Sequence, residues 1–116
     1  MAEFEASTFA TAGRVTVTVS GECDLSVRER LTAVLLDAVN RGPRVFVDVA
    51  AVSFLDSSGV HALVTAHHAA QGRGGRLFVT NAAGAVATVL ELTGLDALFQ
   101  APAEAALPGP EERRHA

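Results

Sequence analysis

The sequence has no lysine and only one cysteine, Cys23, among 116 residues. A phosphate-binding loop of the P-loop kind needs a glycine-rich run that ends in lysine. Neither that run nor a Rossmann glycine pattern is present, so nucleotide hydrolysis is not expected. One cysteine cannot form an internal disulfide, which fits a reducing compartment, and no base partner marks Cys23 as a nucleophile. The histidines His61, His67, His68 and His115 are joined by no cysteine or carboxylate cluster at ligand spacing, so no metal is expected. Positive charge is scarce as well: nine arginines against 13 acids leave a net charge of −4, with no basic patch, which argues against nucleic acid. No apolar run approaches the ~20 residues that span a bilayer. Met1-Ala2-Glu3-Phe4-Glu5 lacks the basic start and apolar stretch of a signal peptide. These absences predict a soluble, cytoplasmic protein without membrane contact or cofactor.

What is present is a chain for one domain. Hydrophobic residues make up 49 %, and a domain of this size buries roughly two-thirds of its chain surface. Phe4 to Ala10 reads as a weak strand and Thr11-Ala12-Gly13 as a turn. Arg14 to Ser20 alternates, with Val15, Val17 and Val19 to one side. The two strands predict an antiparallel hairpin. Gly21-Glu22-Cys23-Asp24 leaves the second strand. Ser26 and Glu29 have capping-box spacing, and apolar residues at helical spacing predict a helix over 27–41, closed by Gly42 and Pro43. Val45 to Val49 reads as a strand buried on both faces, with 50–55 as a connection. A helix over 58–71 carries Val60, Leu63, Val64 and His67 on one stripe. Arg76 to Thr80 predicts a further strand and 83–93 a third helix, with Gly94 after its end. Leu95 to Phe99 is apolar and of undetermined type. From residue 100 to 116, prolines and charges predict a flexible tail, with the domain over 1–99. The order predicts an α/β fold with a mixed sheet and helices packed against it. Where its strands run parallel, loops at their carboxyl ends form the functional edge, which brings Asp24 and Asp56 together.

The centre of the pattern is Phe54-Leu55-Asp56-Ser57-Ser58-Gly59: a strand end, a tight loop and a helix start. A helix N-terminus has unpaired N–H groups and a positive dipole end, which suit a negative charge. We therefore read one of the two serines as a phosphate acceptor that switches a protein–protein contact. Ser57 is the better N-cap by type and spacing. That puts Ser58 at the first helical position, facing outward, with Gly59 leaving room for a partner's backbone. Asp48, inside a strand, reads as a structural hydrogen-bonding residue.

The motifs Gly21-Glu22-Cys23-Asp24, Phe54 to Gly59 and Thr93-Gly94-Leu95 resemble those of the STAS domain of bacterial anti-sigma factor antagonists, over about Phe4 to Phe99. Cys23 stands where that family has an aliphatic residue. The resemblance implies a single STAS-type domain that is not an enzyme. It implies that the unphosphorylated form binds an anti-sigma factor, itself a serine kinase of the histidine-kinase-like ATPase fold, and so frees a sigma factor. It implies that this kinase phosphorylates Ser58 to end binding, that a serine phosphatase resets the cycle, and that ATP belongs to the kinase. Such circuits govern stress responses and sporulation. Asp24, Asp56, Ser57, Ser58, Gly59 and His61 are then the partner-binding residues, with Ser57 the alternative acceptor. The other function weighed is a STAS scaffold or transporter accessory subunit with no phosphate cycle.

Overall fold

β-Branched residues every second position set the sheet. In the computed structural model, which describes residues 3–101, strand β1 (Glu5–Thr11) turns through Ala12 and Gly13 into β2 (Arg14–Cys23). Both turn residues have positive φ, 50° and 79°, the geometry that matches the twist of a tight hairpin. A 3₁₀ turn (Leu25–Val27) and helix α1 (Arg28–Arg41) lead to β3 (Arg44–Leu55). Then follow α2 (Ser57–Gly72), β4 (Arg76–Thr80), α3 (Gly84–Leu92) and α4 (Asp96–Phe99). The strands lie side by side in chain order, β1 antiparallel to β2 and the other pairs parallel. The mixed sheet with its N-terminal hairpin is the expected α/β architecture. The tail expected from residue 100 lies outside the described residues from 102 onward, as does His115.

Two strands are longer than periodicity suggests. Gly21 to Cys23 stay in β2, and 50–55 stay in β3. The pairing of Thr18 with Asp48, Ser20 with Ala51, Gly21 with Val52 and Glu22 with Phe54 leaves two extra residue positions on β3. Such bulges break the two-residue period and re-aim side chains beside a site. Asp48 holds the first of them: its Oδ1 accepts from Ala50 N–H at 3.0 Å and from Asn81 Nδ2 at 3.1 Å. The capping box at Ser26 and Glu29 is not formed, because α1 starts at Arg28 and Ser26 lies within the 3₁₀ turn. Gly42 is extended at φ −172° and serves close packing rather than a left-handed cap; a Cβ there would stand 3.0 Å from Gly13 O.

One core joins Val15, Val17, Val45, Val47 and Leu77 of the sheet to Leu31, Leu35, Leu63, Val86, Leu90 and Phe99 of the helices. His67 sits among them, 2 % exposed, its ring edge-on to Phe99 at 5.8 Å. Burial, helped by His68 and Arg76, lowers its pKa below 6.5. The native state thus disfavours the imidazolium that the unfolded chain accepts. Stability is expected to fall as pH drops below ~6.5, by at most ~1.4 kcal/mol per pH unit, until the folded-state pKa is passed. Urea melts from pH 7.5 to 5 will show this slope, and His67→Phe should flatten it; an equal slope in the variant removes His67 as its source.

Candidate functional site

Helix α2 starts where β3 ends, and the joint is made by Asp56. Its backbone is extended (φ −111°, ψ −170°), and its Oδ1 accepts from the N–H groups of Ser58 at 2.8 Å and Gly59 at 3.3 Å. Asp56, not Ser57, is therefore the N-cap. Both types cap well, but a carboxylate also meets the positive helix end with full charge. The shift moves each serine on by one place: Ser57 takes the first helical position and is exposed, and Ser58 takes the second and is half-buried. Outward orientation therefore does not select Ser58 over Ser57.

Gly59 also differs from expectation. It is buried, and it faces the chain's own strands rather than a partner. A Cβ there would run into Leu55 Cδ1 and stand 2.9 Å from Cys23 O. Its lack of a side chain lets α2 sit tightly on the ends of β2 and β3.

Asp24 repeats the capping device on the neighbouring strand. Its Oδ1 accepts from Ser26 N–H at 3.0 Å and Ser26 Oγ–H at 2.6 Å, which starts the 3₁₀ turn. The two acidic corners are tied by the Asp56 N–H bond to Cys23 O, 3.2 Å. Cys23 feels both. Burial first, then the Asp24 and Asp56 charges, push its thiol up to about 11. The thiol therefore stays protonated at neutral pH, which removes it as a nucleophile.

His61 is exposed, one turn beyond Ser57 and Ser58. It opens onto a groove of about 370 Å³ between α1 and α2, lined by Arg28, Glu29, Thr32, Leu36 and Thr65. The structure thus brings Asp24, Asp56, Ser57, Ser58 and His61 to one edge and turns Gly59 away from it. Two apolar residues at this edge are not singled out by the sequence pattern. Leu25 is 67 % exposed and Phe54 46 %. Phe54 does leave a signal: beside the buried Leu55 it cannot also point inward from an extended backbone. Among the described residues no group of three His, Cys, Asp or Glu could hold a metal ion, and no helix is long and apolar enough to cross a membrane.

A family model described as "Mlab, STAS domain" matches residues 7–100. No curated protein matches in sequence. Among solved structures, an anti-sigma factor antagonist from Mycobacterium paratuberculosis is 26 % identical, with a TM-score of 0.78 over 96 % of this chain and 95 % of that one. The anti-sigma factor antagonist SpoIIAA in its unphosphorylated form is 24 % identical, with a TM-score of 0.72 over 90 % of this chain and 92 % of that one. A sulfate transporter family protein from Wolinella succinogenes is 21 % identical, with a TM-score of 0.65 over 78 % of this chain and 75 % of that one.

Proposed function

The chain belongs to the STAS domain family, and from that footing we propose that it is an anti-sigma factor antagonist switched by phosphorylation of Ser58. The observation that carries the reading is the α2 N-terminus: two serines on the first turn, capped by Asp56, beside Asp24 and two exposed apolar residues. Unphosphorylated, this edge binds an anti-sigma factor that is also a serine kinase, and the sigma factor is released. Leu25 and Phe54 supply apolar contact area, and Asp24 and His61 frame the edge.

In the kinase complex the Ser58 hydroxyl oxygen attacks the γ-phosphorus of ATP held by the partner. The new O–P bond replaces the bond to ADP, and the hydroxyl proton passes to a base on the kinase. The added group carries about −1.5 to −2 charges at pH 7. Asp56 Oδ1 already occupies the amides of Ser58 and Gly59 that a phosphate would otherwise seek. The phosphate is therefore displayed on the surface, next to two carboxylates, and acts on the partner rather than on the fold. A serine phosphatase removes it.

The likeness to a sulfate transporter family protein favours a second reading, in which the domain assembles with a transporter and carries no phosphate. Incubation with the co-purifying kinase and ATP, followed by mass mapping, separates the two. One equivalent on Ser58, absent from Ser58→Ala, is expected. A full equivalent on Ser58→Ala moves the acceptor to Ser57, and no incorporation at all favours the scaffold.

A further inference from the structure

Every buried apolar side chain of the four helices belongs to the cluster on one face of the sheet. The register defines the other face. Arg14, Arg44 and Arg76 stand in one row across β2, β3 and β4; Thr16, Phe46 and Phe78 form the next. The Phe46 and Phe78 ring centroids are 5.1 Å apart. The Arg14 guanidinium lies 3.9 Å from the Phe46 centroid and that of Arg76 5.4 Å from the Phe78 centroid. A ring on an open sheet face, with only same-face neighbours beside it, keeps an edge in water. Phe46 is 1 % exposed and Phe78 4 %, although among the described residues no helix adds a buried apolar side chain to this face. Phe9, on the same face of β1, is 69 % exposed, so the cover is local to the β4 side. Arg14 bears the same mark: its Nε is shut off from solvent, and burial, then Arg44, lowers its pKa.

The described chain ends beside this edge. Gln100 and Ala101 line a hollow with Val79 and Ala82. Fifteen residues follow, 102–116. At ~3.3 Å per residue they span up to about 50 Å, against ~10 Å across three strands. Their chemistry has an order: Ala105-Ala106-Leu107-Pro108-Gly109-Pro110 is apolar and proline-bearing, and Glu111-Glu112 is acidic. Proline-bearing segments dock on aromatic surfaces at low entropic cost. A chain that leaves from beside Val79 and runs toward the start of β4 meets the phenylalanine row first and the arginine row second. We propose that segment 102–116 folds back across the β4 edge and covers this second face, with Leu107 and Pro108 over Phe78 and Phe46 and with Glu111 and Glu112 against the three arginines. The segment is then a structural part of the domain, whatever Ser58 does.

A nitroxide on Gly109→Cys in the full chain tests this, because buried Cys23 stays unlabelled. The backbone amide signals of Thr16, Phe46 and Phe78 should lose more than half their intensity relative to the reduced label, while those of Glu29 and Ala33 on α1 keep theirs. Broadening on the helix side, broadening nowhere, or broadening that grows with protein concentration and so marks a second copy overturns the proposal. Glu111→Arg with Glu112→Arg should relieve the broadening at least twofold, and adding Arg44→Glu with Arg76→Glu should restore it. Unchanged broadening in the first pair overturns the ionic contact.

Discussion

A phosphate on Ser58 is expected to weaken binding to the kinase partner more than a hundredfold while leaving the fold intact. The magnitude follows from charge. A like-charge clash across an interface costs several kcal/mol, and each ~1.4 kcal/mol is tenfold in affinity. The phosphate adds to Asp24 and Asp56 on an edge where the two carboxylates already act together on Cys23. On the helix itself the charge is tolerated or favoured by about 0.3–1 kcal/mol, since it sits on the first turn. Calorimetric titration of phosphorylated and unphosphorylated chain with the partner, with circular dichroism of each, measures both halves. Ser58→Glu, with one charge instead of nearly two, should lose less affinity than the phosphate, and Ser58→Ala should bind without loss and resist switching. Equal affinity of the two forms sinks the reading; so does a loss of affinity that arrives together with a loss of secondary structure.

The second large effect is expected at Gly59. A Cβ there has nowhere to go: Leu55 Cδ1 overlaps it, and the Cys23 carbonyl stands at 2.9 Å. The carbonyl belongs to strand backbone, so α2 has to move. Overpacking of this kind costs about 1–3 kcal/mol, and a domain of this size loses ~4–8 °C in Tm per kcal/mol. Gly59→Ala should therefore melt about 10 °C lower, and it should also bind the partner less well, because Ser58 rides on the same turn. Gly72→Ala is the control. It lies at the other end of α2, where a methyl group would meet nothing within 4 Å, and its Tm should hold or rise with the better helix former. Equal melting temperatures for Gly59→Ala and the parent would show that the helix has slack the geometry denies.

Much of this is legible in the residues. β4 lies over the residues that alternation predicts, 76–80, and α1 and α3 differ from prediction by one residue at an end. Each is a regular element with a plain stop. The two strands that carry the site read as too short, because the extra residues of β3 destroy the two-residue period just where Asp56 approaches. The cap is misplaced for a different reason. In Asp56-Ser57-Ser58 three consecutive residues are all good caps, and type alone does not choose among them; the hydrogen bonds to Ser58 and Gly59 do. Gly59 reads from sequence as an open position and in space as a filled one, since only the packing of α2 on Cys23 and Leu55 reveals the difference. The Phe46 and Phe78 pair looks like ordinary strand core, and pairing register is needed to put it on the face opposite the helices.

β4 pairs with Arg44 to Asp48 and no further, whereas β2 follows β3 to Leu55. The rest of β3, from Val49 to Leu55, thus forms a two-stranded ribbon that outruns the sheet. A ribbon held on one flank opens at lower free energy than a strand held on two. The end that presents Asp56 and the serines can fray and close again while the stretch beneath it, Arg44 to Asp48, stays shut. Recognition and architecture are thereby put on separate thermal footings within a single strand.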